Sequence, residues 1–335
     1  MRYVVVGAGA VGGTVGGLLA DSGHDVVLIA RGAHASAMRE HGLRLATPHR
    51  IIDVRCPVTD DLTALDWRPD DVVLLATKTQ DSMSALDQIA TADIGGRAAG
   101  DILPVICVQN GVANERFALR RFRNVYGVVV MLPAVLLEPG RIDAQGDPHS
   151  GLLDLGSAPA GADALAAQVA TDLSSSGFAS RAVDDVMRWK YAKLLRNLGN
   201  ALEALAGHEL DESETHIRHD LEGRMRAEAV AAFDAAGISW VSDEEWTERR
   251  QDQVGHAVVE GRPRVGGSSW QSLARGTGSI EADYLNGEIV LLGRLFGVHT
   301  PVNEVMQRAA NRAARARVEA GSVALQTVIR SLEMP

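Results

Sequence analysis

The stretch RYVVVGAGAVGG, residues 2–13, joins a short apolar strand to a glycine-rich turn with the spacing G-x-G-x-x-G. In a strand–turn–helix unit, the first glycine allows a tight turn and the second lets a pyrophosphate approach the backbone. The third glycine lets the helix pack against the strand. The N–H groups at the start of that helix bind phosphate oxygens. The predicted dinucleotide-binding residues are Gly7, Ala8, Gly9, Ala10, Val11 and Gly12.

Further along the chain, short β-branched runs alternate with alanine-rich helical stretches. The runs are HDVVLIAR, DDVVLLATK, LPVICVQNG and NVYGVVVMLP. Such alternation, with almost continuously apolar strands, is typical of a parallel sheet covered by helices on both faces. We therefore predict an α/β fold in which residues 1–182 form a Rossmann-type, doubly wound parallel sheet that binds the cofactor. Helical periodicity replaces the strand pattern afterwards, which predicts an all-helical C-terminal substrate domain over residues 183–335.

The composition excludes several classes of protein. The chain has 335 residues, 46% of them hydrophobic, and a formal net charge of −10, which argues against general nucleic-acid binding. Its 2 cysteines show no metal-binding or disulfide pattern. Glycines interrupt the first apolar run too early for a signal peptide or a membrane span. We expect a cytoplasmic protein with a small-molecule ligand, no metal and no membrane partner.

The residue after the second strand predicts which dinucleotide binds. An NAD site usually has an acidic residue there for the ribose 2′-OH, whereas this strand ends Ile29-Ala30-Arg31. A guanidinium suits a 2′-phosphate, with which it forms bidentate charge-assisted bonds. The sequence therefore favours NADPH, with a solvated Arg31 as the alternative. Lys78, in ATKTQD, is a second candidate for the phosphate or the substrate cleft, and a plain surface lysine is its alternative.

The stretch KYAKLLRNLGN, residues 190–200, carries a polar row on a predicted helix. Its members are three or four residues apart and share one face: Lys190, Lys193, Asn197 and Asn200. The row is either a solvated stripe or a wall of an active site. Reduction of a carbonyl by a nicotinamide needs a proton donor and polar anchors, which Lys193 and Asn197 can supply.

Two further stretches carry candidate ligand-binding side chains. VICVQNGVANE places Asn110 at the carboxyl end of a strand, where open α/β sheets bind ligands. GSSWQSLARGTGSIEADYLNGEI places Ser268 and Ser269 ahead of a helix predicted to begin near Ser279 and to carry Glu281. Pattern alone also allows a plain loop followed by a capped helix N-terminus.

Taken in order, GAGAVGG, ATKTQ, QNGV, KLLRN, SSW and EADYLNG…GVHTPVNEVM resemble the ketopantoate reductase (2-dehydropantoate 2-reductase) family, from Met1 to about Met306. The resemblance implies a Rossmann domain and a helical domain with NADPH and a small 2-oxo acid between them. It implies reduction of ketopantoate to pantoate in pantothenate biosynthesis. Lys193 would be the catalytic acid and Glu281 the active-site glutamate. The implied substrate-binding residues are Asn110, Asn197, Ser268 and Ser269. Asn110 would also bind the cofactor, close to the nicotinamide, and the implied 2′-phosphate contacts are Arg31 and Lys78.

The chain departs from the family pattern only on the substrate side. Ala201 replaces an asparagine, Gly266 and Gly267 stand where an asparagine is expected, and Trp270 replaces a methionine. One alternative is therefore a relative that reduces a bulkier 2-oxo acid or an opine-type imine. An alternative of another class is a non-catalytic NADPH-binding redox sensor. The stretch MQRAANRAARARVEA is a candidate contact of a homodimer.

Overall fold

The computed structural model describes residues 1–262 and 266–333, which divide into two compact units. The first unit contains residues 1–190 and 242–262, and the second contains residues 191–241 and 266–333. The strands are β1 Arg2–Val6, β2 Asp25–Ile29, β3 Leu43–Ala46, β4 Ile51–Val54, β5 Val58–Thr59, β6 Asp71–Leu75, β7 Asp93–Ile94, β8 Arg97–Ala98, β9 Pro104–Cys107, β10 Asn124–Met131, β11 Ala134–Glu138, β12 Arg141–Ala144, β13 Gly146–Pro148, β14 Leu152–Ser157 and β15 Val254–His256.

The helices are α1 Ala10–Asp21, α2 Gly32–His41, α3 Thr79–Ala90, α4 Ala99–Ile102, α5 Ala113–Leu119, α6 Ala164–Ser175, α7 Val186–Asn197, α8 Asn200–Ala206, α9 Glu212–Ala235, α10 Asp243–Arg250, α11 Ser268–Ala274, α12 Asn286–Phe296, α13 Pro301–Ala316 and α14 Leu325–Glu333, with a 3₁₀ helix at Glu281–Tyr284. Within the described ranges, no helix combines the length and the apolar composition that crossing a bilayer requires.

A seven-stranded sheet in the order β14-β10-β9-β6-β1-β2-β5 forms the centre of the first unit. All neighbouring strands are parallel except β14, which runs antiparallel to β10 at one edge. In β1, Tyr3 and Val5 belong to one buried apolar cluster, whereas Val4 and Val6 belong to another. Since successive strand residues point to opposite faces, both faces of the sheet are covered. The predicted α/β fold with a doubly wound parallel sheet is confirmed.

The structure also contains smaller sheets that the sequence pattern did not predict. β11, β12, β3 and β4 form a second sheet in that order, and two-stranded pairs join β13 to β15 and β7 to β8. The missed strands are short and mix charged with apolar residues, as in IIDV and RIDA, so they lack the continuous apolar run of a buried parallel strand. β15 lies in the stretch predicted to be all helical.

The compact units differ from the predicted domains because residues 242–262 belong to the first unit. Two buried carboxylates hold this segment. Arg249 donates Nε and Nη2 to Asp154, with both distances 2.6 Å, and Arg262 contacts Asp143 in the same bidentate way at 2.8 and 2.9 Å. The side chains of Asp154 and Asp143 are each 1% exposed. α10 begins with a capping box at Ser242, and its Arg249 faces inward, with a side chain only 13% exposed.

The helix predicted to carry four polar residues is interrupted. α7 ends at Asn197 and α8 begins at Asn200, so Asn200 does not continue the polar row. In the second unit, the buried Asn286 donates its side-chain amide to the carbonyl of Leu198, at 3.1 Å, and to Asn303 Oδ1, also at 3.1 Å. This buried polar contact holds the chain just after α7 against α12.

We predict that Asp154→Asn lowers the free energy of unfolding by about 3 kcal/mol, because it removes the charge partner of a largely buried guanidinium. Urea unfolding of the purified protein measures the effect. The matched control is Asp53→Asn, since Asp53 is 67% exposed and lies 3.5 Å from Arg44. The control should change stability by less than about 0.5 kcal/mol. Equal destabilisation by the two substitutions would contradict the anchoring role of Asp154.

Candidate active site

The turn after β1 is built from glycines that have different surroundings. Gly7 has φ +100°, and an added Cβ there would lie 2.7 Å from the backbone nitrogen of Thr77. At Gly12 an added Cβ would lie 2.2 Å from the carbonyl oxygen of Gly7. At Gly9 an added Cβ would meet nothing within 4 Å. The outer glycines therefore allow close packing, while Gly9 faces open space at the start of α1, which fits the approach of a pyrophosphate.

His34, which no sequence motif singles out, supports this turn. Its Nε2 lies 2.7 Å from the carbonyl oxygen of Ala8, and its Nδ1 accepts the N–H of Gly140 at 2.9 Å. Because Nδ1 is an acceptor, Nε2 carries the proton and donates it to Ala8. Burial lowers the pKa of His34, although the hydrogen bond to Ala8 acts in the opposite direction. A neutral imidazole thus joins the glycine turn to the β11–β12 hairpin.

The predicted cofactor residues of the first unit all follow the carboxyl ends of neighbouring strands of the central sheet. The glycine turn follows β1, and Arg31 follows β2 at the N-cap position of α2. Lys78 follows β6 at the N-cap position of α3, and Asn110 follows β9. These four strands are neighbours and parallel, so their carboxyl ends share an edge. Arg31 and Lys78 lie on opposite sides of β1, with their strand axes roughly 10 Å apart.

Three amide side chains near the carboxyl ends of these strands have acceptor oxygens without a hydrogen-bond partner among the described residues. The nitrogen of Gln109 donates to Thr77 O and to Ser82 Oγ, both at 2.8 Å, and that of Asn114 donates to Thr79 Oγ1 at 3.1 Å. Within residues 1–262 and 266–333, no donor reaches the buried side-chain oxygens of Gln109, Asn110 and Asn114. A buried acceptor without a partner is unfavourable, so these oxygens suit the hydroxyl or amide donors of a ligand.

The two lysines of α7 have different surroundings. Lys190 is 2% exposed and its Nζ lies 2.7 Å from Glu115 Oε1. The same Nζ donates to the carbonyl oxygens of Gln109, at 2.8 Å, and Val128, at 3.1 Å. Lys190 thus donates two hydrogen bonds to backbone carbonyls and compensates the charge of Glu115 as an ion pair. Lys193, which is half-buried, belongs to the second unit and remains the candidate for proton transfer.

Asn197, the last residue of α7, carries an open donor in the second unit. Its side chain is buried, and its Nδ2 has no hydrogen-bond partner among the described residues. The contact between Asn286 and the Leu198 carbonyl fixes the backbone next to it. Asn197 can therefore donate to an acceptor such as a substrate oxygen, as its predicted role requires.

The serine pair begins a helix instead of lying in a loop. Ser268 and Ser269 are the first residues of α11, where Ser268 is exposed and Ser269 is 4% exposed. Gly267, just ahead of them, donates its N–H to Glu203 Oε1 at 2.5 Å. At Gly266, with φ +60°, an added Cβ would lie 2.6 Å from the Trp270 ring. Trp270 thus occupies the space that a side chain at Gly266 would need.

Glu281 begins the 3₁₀ helix Glu281–Tyr284 and is half-buried. The α-helix predicted to start near Ser279 is wrong in this detail, because α12 begins only at Asn286. Ala201, a third departure from the family pattern, is 2% exposed within α8. The predicted residues therefore fall into two groups. The glycine turn, Arg31, Lys78 and Asn110 belong to the first unit, and Lys193, Asn197, both serines and Glu281 belong to the second.

Two family models match this chain. "Ketopantoate reductase PanE/ApbA" matches residues 3–159, and "Ketopantoate reductase PanE/ApbA C terminal" matches residues 185–314. The 2-dehydropantoate 2-reductase of Pyrococcus horikoshii is 26% identical, over 90% of this chain and 94% of its own length. That of Halobacterium salinarum is 28% identical, over 90% of this chain and 95% of its own length.

Solved structures with the same fold were also found. A PanE/ApbA family ketopantoate reductase from Ralstonia eutropha JMP134 aligns with a TM-score of 0.77 and 29% identity, over 95% of this chain and 99% of its own. D-mandelate dehydrogenase, solved with NADH and anilino(oxo)acetate, aligns with a TM-score of 0.79 and 23% identity, over 95% of this chain and 99% of its own. At that identity the second likeness shows the fold alone.

We predict that Gly9→Ala weakens dinucleotide binding by at least about tenfold while leaving thermal stability unchanged. The new methyl group would occupy the space open to a pyrophosphate without touching protein atoms. Fluorescence titration with NADPH and a thermal unfolding scan measure the two effects. Gly223→Ala is the control, because a Cβ at Gly223 in α9 also meets nothing within 4 Å. If both variants bind NADPH like the wild type, Gly9 does not face the cofactor.

Proposed function

This chain belongs to the ketopantoate reductase family, and from that premise we propose that it reduces the keto group of a small 2-oxo acid with hydride from NADPH. It is an oxidoreductase that uses a nicotinamide cofactor and acts on 2-oxo acids. The substrate that we propose is 2-dehydropantoate (ketopantoate), which would give pantoate for pantothenate biosynthesis. Two relatives that align over 90% of this chain are named 2-dehydropantoate 2-reductase.

One observation carries the proposal. Asn197 presents a buried side-chain N–H group without a partner among the described residues, one helical turn after Lys193. A buried donor without an acceptor costs free energy, so this N–H group favours a ligand whose oxygen accepts a hydrogen bond from it. A lysine one turn away supplies a proton donor on the same helix face. This pairing supports a carbonyl-reducing site more specifically than a dinucleotide fold alone.

We assign the chemistry to these residues as follows. When bound, NADPH supplies the hydride that adds to the keto carbon. Lys193 donates a proton to the oxygen as negative charge develops on it. Asn110 and Asn197 bind the polar groups of the substrate, Ser269 with Ser268 holds its carboxylate, and Glu281 orients the lysine and the substrate hydroxyl.

The position of the Trp270 ring supports a second candidate substrate. Its ring packs where a side chain at Gly266 would lie, directly beside the start of α11, which carries Ser269. A changed side chain next to a carboxylate-binding serine alters the shape available to the substrate. The second candidate is therefore a bulkier 2-oxo acid or an opine-type imine, formed from a 2-oxo acid and an amine.

We predict that Arg31→Ala weakens NADPH binding by about 10–100-fold and NADH binding by less than about twofold. Arg31 follows β2, the strand whose carboxyl end lies beside the adenosine ribose in this fold. Titration of the variant with both dinucleotides measures the selectivity. Arg123→Ala is the control. Arg123 is 73% exposed and precedes β10, so it lies at the amino ends of the parallel strands, away from the predicted cofactor residues. Equal losses for both dinucleotides would show that Arg31 does not read the 2′-phosphate.

We predict that Lys193→Ala lowers kcat by about 10²–10⁴-fold with little change in NADPH affinity, because it removes the general acid. The assay follows the loss of NADPH absorbance with ketopantoate, with an aromatic 2-oxo acid, and with 2-oxo acid and amine pairs. Lys193→Arg should also be slow, since a guanidinium keeps the charge but does not release its proton near neutral pH.

The same assay separates the alternatives. Wild-type turnover of ketopantoate supports the proposed substrate, and turnover only of the bulkier compounds supports the second candidate. Tight NADPH binding without turnover of any compound would instead favour the redox sensor. Full activity of Lys193→Ala would remove Lys193 from its assigned role.

A further inference from the structure

A buried ion pair in the first unit is not used by the proposed chemistry. The side chains of Lys190 and Glu115 are each 2% exposed, and Lys190 Nζ lies 2.7 Å from Glu115 Oε1. No donor in the described part of the chain makes an aligned hydrogen bond to either carboxylate oxygen, so the close ammonium compensates this charge as an ion pair. Burying two charges is expensive and is a poor way to gain stability. The pair therefore calls for a role other than stability.

The ammonium of Lys190 holds the backbone at the carboxyl end of β9. It donates to the carbonyl oxygen of Gln109 at 2.8 Å, while the side-chain nitrogen of Gln109 donates to Thr77 O and Ser82 Oγ. Gln109 is thus fixed through both its backbone and its side chain. Asn110 is the next residue, and Gly111, with φ +76°, makes the turn that follows. The direction of the Asn110 side chain depends on this fixed neighbour.

Glu115 joins the pair to the other end of the same turn. It lies in the first turn of α5, which begins just after the stretch Gln109–Gly111. Gly127 in β10 makes room for the pair, because a Cβ there would lie 3.2 Å from both Glu115 Oε1 and Lys190 Cδ. The second carbonyl contact of Lys190, to Val128, is on the same strand. The ion pair therefore fixes the turn between β9 and α5 against β10.

We propose that Lys190 and Glu115 form a positioning pair that sets the orientation of Asn110 toward the nicotinamide and the substrate. The inference rests on the proposed function for the role of Asn110. The open oxygen of Asn110 is useful only if it is held in place before the ligand arrives, and a misplacement of about 1 Å can reduce a rate by about a hundredfold. The pair acts through Asn110 and transfers no proton itself.

The test is a mutant cycle between the pair and Asn110. The double variant Lys190→Met with Glu115→Gln removes both charges together, which avoids leaving one of them buried alone. We expect kcat to fall by about 10–100-fold while the NADPH dissociation constant changes by less than about threefold. In an Asn110→Ala background, the same double variant should cause almost no further loss, because the group that it positions is already absent.

A second readout does not require activity. The side-chain amide signals of Asn110, assigned in ¹⁵N–¹H spectra by their loss in Asn110→Ala, should shift or broaden in the double variant. Unchanged Asn110 signals, or losses that multiply in the Asn110→Ala background, would overturn the proposal. Absence of 2-oxo acid turnover by the wild type would instead count against the proposed function, and the spectra would still decide the positioning role.

The matched control is a buried ion pair between two strands of the central sheet. Arg2 Nε and Nη2 donate to Asp71 at 2.7 and 2.8 Å, and these residues pair across the amino ends of β1 and β6. The variant Arg2→Met with Asp71→Asn removes a buried pair at the opposite edge from Asn110. It should leave the Asn110 signals and kcat unchanged. A similar loss of kcat in both double variants would show that Lys190 and Glu115 only stabilise the fold.

Discussion

The contact between the α-carbon of Gly12 and the carbonyl of Gly7 is the constraint on which the site depends. Because even a methyl group would not fit there, β1 turns directly into α1 and the helix N-terminus stays at the carboxyl edge of the sheet. β1 lies between β6 and β2, so its turn fixes where the loops after those strands lie as well. A sheet that is covered on both faces leaves its edge as the place for polar ligand-binding groups.

Side chains, rather than regular secondary structure, hold the loops of this site. The side chain of His34 binds the carbonyl of Ala8 in the glycine turn, and that of Gln109 binds the carbonyl of Thr77 after β6. Glu203 accepts the N–H of Gly267 just before α11. Each of these contacts satisfies a backbone group that no strand or helix pairs. A loop that is tied in this way loses little further freedom when a ligand binds, which favours affinity and precise orientation.

The sequence predicted the features that depend on local pattern. The five apolar runs became the central strands, because parallel strands that are buried on both faces lack polar residues. The glycine spacing also identified a real turn. Features that depend on distant partners were missed, such as the return of residues 242–262 to the first unit. Arg249 looks like part of a charged surface run until Asp154, far away in the sequence, is seen to bind it.

Lys190 and Lys193 show most clearly where sequence reasoning ends. Both lie on α7, and their spacing correctly predicts neighbouring positions on one helix. Spacing cannot reveal that three oxygens, from the loop after β9, from β10 and from α5, surround the first lysine. A buried ammonium that donates to two backbone carbonyls and pairs with a buried carboxylate has a structural role, because loss of a proton would leave a buried acceptor or the carboxylate charge without its partner. The roles of two identical residues one turn apart are therefore decided by the acceptors that the tertiary fold brings to each of them.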